Sequence, residues 1–209
     1  MVKIVKPYRN TDLIYEKARD AESRGCVAVG MDIDHFYGAL VGDKTSRTEV
    51  FGPQLTTELK QLISQSKLPF IIKGVLSVQD AREAAQLGAS AIVVSNHGRG
   101  SFDFMVPSMI ALPKIVESVG DKMTVLIDTG FKTGNDVLKA LAFGAKAVGF
   151  ASSMLLALAA DGSRGVESLI NQIGAELRRT MAATGCSTLS DISRSMIIQA
   201  PYMAETIPR

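Results

Sequence analysis

The chain has 209 residues, 46% hydrophobic and 21% charged, a composition that fits one globular domain with a substantial core. Its formal net charge of +2 is too small to argue for nucleic acid or an acidic membrane surface. The opening Met1-Val2-Lys3-Ile4-Val5-Lys6-Pro7 lacks a signal-peptide core, and no stretch approaches the roughly 20 apolar residues of a membrane helix.

In chain order the pattern predicts strand Lys3–Val5, helix Thr11–Ser23, strand Ala28–Ile33, helix Gln54–Ser66, strand Phe70–Lys73 and helix Val78–Leu87. Strand Ala91–Ser95, helix Pro107–Val119, strand Thr124–Ile127, helix Gly134–Ala142, strand Ala147–Phe150 and helix Val166–Thr184 follow. Ser77 is placed to cap the third helix, and Asn135-Asp136 opens the fifth. Arg178-Arg179 sits where a helix C-terminus favours cations. Residues 199–209, with two prolines and no periodicity, read as an extended tail behind a single domain over 1–198.

A phrase recurs three times: Ala21 to Gly25 then Ala28-Val29, Ala84 to Gly88 then Ala91-Ile92, and Ala140 to Gly144 then Ala147-Val148. In each, a helix ends at a glycine able to take the left-handed conformation, and an aliphatic strand begins shortly after. Repeated βα units imply a parallel sheet with right-handed crossovers. A doubly wound dinucleotide sheet would want Gly-x-Gly-x-x-Gly after its first strand, where Val5-Lys6-Pro7-Tyr8 stands instead. The expected fold class is therefore α/β, a (β/α) TIM-type barrel that is incomplete, with about six of eight βα units.

Three of these strands end in the same way. Phe70-Ile71-Ile72-Lys73-Gly74, Val93-Val94-Ser95-Asn96-His97-Gly98 and Val125-Leu126-Ile127-Asp128-Thr129-Gly130 each run from aliphatic residues into polar ones and glycine. Strands buried on both faces look like this when their C-terminal ends open onto a site. A cation, a base and a carboxylate (Lys73, His97 and Asp128) at such ends point to one shared cleft. Val41-Gly-Asp-Lys-Thr45-Ser-Arg lacks the first glycine of a phosphate loop and reads as a solvated loop that could lid this cleft. Cys26 and Cys186 have neither metal nor redox spacing, so two reduced thiols, no metal centre and a cytoplasmic location are expected.

From Val2 to about Ile198 the chain resembles the FMN-dependent 2-hydroxy-acid oxidases and dehydrogenases, the glycolate oxidase and lactate oxidase family. The residues that carry the resemblance are Leu68 to Leu76, Ile92 to Gly98, Ala111 to Val116, Val125 to Gly130 and Asp136 to Val148. The resemblance implies a TIM barrel holding FMN at its strand C-termini, entered here at the family's third strand. It implies His97 as the base that takes a proton from a 2-hydroxy acid, with Asp34 orienting it, and Lys73 stabilising the reduced flavin ring. Asp128, Thr129, Gly130, Phe131 and Lys132 match the segment around the ribityl chain and phosphate, and Ala151-Ser152 the second phosphate loop. Arg99 is the candidate for holding the substrate carboxylate.

The departures from the family cluster on binding. Arg99 comes one residue early, Lys132 stands for an arginine, and Ala151-Ser152 replaces Gly-Arg. Ile4 and Lys6 replace a glutamine and a tyrosine, and Asp32 replaces a threonine; Asp32 and His35 are expected to be loop or capping groups. Two functions lead, with a different FMN-barrel reaction such as an isomerisation as a third. One is an FMN-dependent oxidoreductase converting a small 2-hydroxy acid to the 2-oxo acid. The other is a non-catalytic truncated barrel that binds a partner chain or a phosphate-bearing ligand. An open barrel edge calls for a homo-oligomer or a covering partner in either case.

Overall fold

The computed structural model describes residues 1–34, 50–98 and 104–198. The candidate lid Val41–Arg47, His35 and the tail 199–209 lie outside the described residues. The chain forms two compact units, Met1–Gly130 with Ala145–Gly149, and Phe131–Gly144 with the chain from Phe150 onward.

The first unit holds one parallel sheet of six strands in sequence order: β1 Val2–Val5, β2 Ala28–Asp32, β3 Phe70–Val75, β4 Ala91–Val94, β5 Thr124–Ile127 and β6 Ala147–Val148. Its helices are α1 Thr11–Ser23, α2 Thr56–Gln65, α3 Val78–Gln86 and α4 Ser108–Val119. A doubly wound sheet reverses its strand order partway, whereas an order that never reverses is that of a barrel wall. The expected incomplete TIM-type barrel is what the sheet shows.

The recurring phrase works as its glycines predict. Gly25, Gly88 and Gly144 have φ of 69°, 88° and 96°. Beyond the first two, Cys26 N–H donates back to the Ala21 carbonyl at 3.0 Å and Ala89 N–H to Ala84 at 3.1 Å, closing the helix ends. Each following strand then starts three residues past its glycine (25 to 28, 88 to 91, 144 to 147).

Alternation along the strands gives the sheet two distinct faces. Val29, Met31, Ile72, Ile92, Val94, Val125 and Ile127 are buried, and α4 lies against β4 and β5 with its Leu112, Ile115 and Val119 buried. On the other face Ala28, Ile71 and Ala91 cluster with Val93. Gly30 pairs there with Ile71, and a Cβ on it would strike the Ile71 carbonyl. One register step further along that face, Asp32 is paired with Lys73. Small and aliphatic residues therefore fill the face, and charge appears only at its C-terminal rim.

The second unit is built from α5, Gly134–Ala142, and α6, Ser152–Ala183, around Leu138, Ala142, Met181, Cys186 and Ile192. Thr133 caps α5, accepting from Asp136 N–H at 3.2 Å while Asp136 accepts from Thr133 N–H at 3.0 Å. The helix starts at Gly134 as expected; its cap is Thr133, two residues ahead of Asn135, and Asp136 completes the capping box. The predicted last helix also begins earlier, at Ser152, because Met154 to Ala160 are strong helix formers. Asp161 and Gly162 interrupt it with non-helical backbone, which is where periodicity alone lost it. No helix among the described residues is long and apolar enough to cross a membrane.

Candidate active site

Five consecutive strands of the first unit deliver polar side chains to one place. Lys6 follows β1, Asp32 ends β2 with Asp34 just beyond, and Lys73 lies in β3. Ser95 and His97 follow β4, and Asp128 and Thr129 follow β5. Lys6 Nζ donates to Asp32 Oδ2 at 2.5 Å. Lys73 Nζ lies 3.3 Å from Asp32 Oδ1, 3.3 Å from Asp128 Oδ2 and 3.1 Å from His97 Nε2. Charges alternate along the rim, Lys6, Asp32, Lys73, Asp128, so Asp32 and Asp128 each have an ammonium neighbour that offsets the desolvation cost.

His97 is held at both ring nitrogens. Asp34 Oδ2 accepts from Nδ1 at 2.7 Å, and because a carboxylate only accepts, Nδ1 carries the hydrogen. Nε2 faces the interior of the network, 3.4 Å from Asp32 Oδ1. Burial works against charge on the ring, but Asp32 and Asp34 outweigh it and the nearby Lys73, raising the imidazole to about 9. Burial likewise opposes ionisation of Asp32, yet the bonds from His97 and Lys6 and the charge on Lys73 hold it well below the usual carboxylate range. Two lysines against three aspartates leave one negative charge, which a protonated His97 cancels.

The backbone is shaped to bring these groups together. Gly74 has φ of 100° and sits at a register shift between β3 and β4. A Cβ there would collide with the Asp34 carboxylate, so glycine is what lets Asp34 reach His97. His97 and Thr129 themselves take φ of 50° and 76°, each followed by a left-handed glycine, Gly98 or Gly130. Such strain costs about 1–3 kcal/mol per residue and persists where the surroundings enforce it. Here Ser95 Oγ accepts from His97 N–H and from Lys73 Nζ, both at 3.3 Å. Ser108, buried at the start of α4, donates to the Asp128 carbonyl at 2.8 Å and pins the turn after β5.

The fold brings together five of the residues picked from sequence: His97, Asp34, Lys73, Asp128 and Thr129. Gly130 closes the same strand end, with open space where a Cβ would stand. Phe131 is buried in the second unit, and Lys132, Ala151 and Ser152 are exposed there, Ser152 as the first residue of α6. Arg99 lies outside the described residues. Asp32 corrects the expectation of a loop or cap, for it is 3% exposed at the centre of the network. Lys6, Ser95 and Ser108 were also missed. Val5-Lys6 and Met31-Asp32 carry the same signal as Lys73, a charged residue closing an aliphatic run. Asp32, Asp34 and His97 offer ligand atoms within 4.8 Å of one another. Lys6 and Lys73 both lie against Asp32, and ammonium groups so placed disfavour a metal ion there.

Residues 39–199 match the FMN-dependent dehydrogenase family. The chain is 47% identical to the L-lactate dehydrogenase of Caulobacter sp. (strain K31) over 67% of its own length and 37% of that protein. It is 34% identical to glycolate oxidase 3 of Arabidopsis thaliana over 90% of this chain and 54% of the other. With the L-lactate oxidase of Lactobacillus jensenii the identity is 36%, covering 88% and 43%. Among solved structures, a mandelate oxidase with a monooxide FMN adduct superposes with a TM-score of 0.84 at 34% identity, over 92% of this chain and 61% of that one. The chain spans about half or less of the length of these curated relatives.

Proposed function

The chain belongs to the FMN-dependent dehydrogenase family, and from that premise we propose that it takes part in oxidising a small 2-hydroxy acid to the 2-oxo acid. The observation that carries this reading is the Asp34–His97–Lys73 arrangement at adjacent strand ends. Lactate, glycolate and mandelate, the compounds in the relatives' names, share one reacting unit, a hydroxyl on the carbon beside a carboxylate.

FMN suits the residues present. Lys73 offers a fixed cation at the strand ends, and Gly130 leaves room for close approach of a ligand to backbone. Lys132 and Ser152 are the candidates for the phosphate on the family resemblance alone. When bound, FMN supplies the two-electron acceptor for the substrate's C–H bond. In the proposed step, neutral His97 takes the substrate's proton on Nε2, and Asp34 holds the ring and stabilises the imidazolium. Lys73 keeps a positive charge where negative charge develops. Arg99 is proposed to hold the substrate carboxylate. Two free buried thiols, Cys26 and Cys186, fit the reducing, cytoplasmic setting inferred for the chain.

The test is the visible spectrum of the purified chain with added FMN. A bound-flavin spectrum that bleaches anaerobically with L-lactate or glycolate, and fails to bleach in His97→Ala, is the expected outcome. No flavin binding at high FMN concentration would overturn the enzyme reading and favour a partner-binding barrel.

A further inference from the structure

Three charged atoms form a nearly equilateral triangle in the network. His97 Nε2 to Lys73 Nζ is 3.1 Å, Lys73 Nζ to Asp32 Oδ1 is 3.3 Å, and Asp32 Oδ1 to His97 Nε2 is 3.4 Å. Lysine can only donate and a carboxylate can only accept, so the two partners of Nε2 suit opposite protonation states of the ring. Without a proton, Nε2 presents a lone pair to Lys73. With one, it presents an N–H to Asp32. Asp32 Oδ1 is buried yet makes no hydrogen bond of good geometry in the structure, while its other oxygen is fixed by Lys6. A proton on Nε2 would give that oxygen the hydrogen-bond donor it lacks, beside the Lys73 charge already near it.

We propose that Asp32, braced by Lys6, is a positioning residue for His97: it accepts the Nε2 hydrogen when the ring is charged, and Lys73 donates to the same nitrogen when the ring is neutral. A proton reaching Nε2 then exchanges one partner for another without moving any heavy atom. Asp34 serves Nδ1 in both states. Every charged group facing the ring among the described residues takes part: Asp32 from β2, Asp34 beyond it and Lys73 from β3, with Lys6 and Asp128 acting through Asp32 and Lys73. The expected raised titration of His97 agrees with this geometry. One consequence deepens the proposed oxidation and rests on it. Near neutral pH the resting ring holds its proton, so proton abstraction strengthens as pH rises.

The experiment needs neither flavin nor turnover. The chain has two histidines, His35 and His97, so histidine-selective 13C/15N labelling of the full chain gives two ring spin systems, assigned with His35→Gln. His97 should titrate at about 9. Asp32→Asn should lower that midpoint by about one unit or more, a tenfold loss of proton affinity. Lys6→Met, which removes the cation competing for Asp32, should raise it. The opposite signs separate the proposal from a general loosening, which would draw both variants toward about 6.5. An unchanged midpoint in a folded Asp32→Asn chain, or no rise in Lys6→Met, overturns it. Should Asp32→Asn fail to fold, Lys6→Met alone decides. Because the readout is on flavin-free protein, a failure to bind FMN sinks the oxidation reading and leaves this result standing on its own.

Discussion

His97 binds its proton more tightly in the folded chain than an unfolded imidazole would. Its folded value of about 9 exceeds the roughly 6.5 of an exposed histidine, so folding takes up a proton between those pH values. The resulting stabilisation is fully present below about pH 6.5 and is lost as pH rises through about 9. Urea unfolding across this range should show stability falling with pH in the native sequence. The slope should be markedly flatter in His97→Gln, whose side chain has nothing to titrate. Equal slopes in the two proteins would mean that the Asp32 and Asp34 contacts do not hold the proton in solution.

Among the elements, α5 and α6 depend on one close approach. A Cβ on Gly134 would press into the backbone of α6 at Ile173 and Leu177, while Glu176 accepts from the Gly134 N–H at 2.9 Å. Gly174, within α6, has only the tip of the Arg178 side chain near where a Cβ would stand, at 3.4 Å. The two substitutions to alanine should therefore differ in sign. Gly134→Ala should destabilise by about 1–3 kcal/mol through overpacking. Gly174→Ala should stabilise by about 0.5–1 kcal/mol, since glycine is a poor helix residue. Denaturant midpoints measure both, and a neutral Gly134→Ala would show that the helices can separate without cost.

For the molecule as a whole, the sheet leaves β1 and β6 with one strand neighbour each among the described residues. Unpaired strand edges are templates for further pairing. Leu155, Leu156 and Leu158 on the first half of α6 are also 66%, 72% and 51% exposed. Self-association or capture of a partner chain follows as an inference. Sedimentation velocity should show species larger than a monomer, growing with concentration. A single monomeric boundary at all concentrations would remove the basis for a homo-oligomer.

The alternation of strand and helix was legible because it depends on local signals: aliphatic runs, caps, and glycines three residues ahead of β2, β4 and β6. Lys73, His97 and Asp128 were legible for a related reason, since a polar residue closing a buried strand has no structural use unless it faces something. The sequence by itself therefore determined the βα repeat, the kind of sheet it makes and the strand ends that carry chemistry. Tertiary structure alone decided which charges meet. In Met31-Asp32-Ile33-Asp34 the resemblance singles out Asp34, and only the pairing of β2 with β1 and β3 sets Asp32 between Lys6 and Lys73. The left-handed backbone at His97 and Thr129 was equally hidden, because neither residue type announces it. Register and strain are enforced by neighbours distant in the chain, and no local pattern records them.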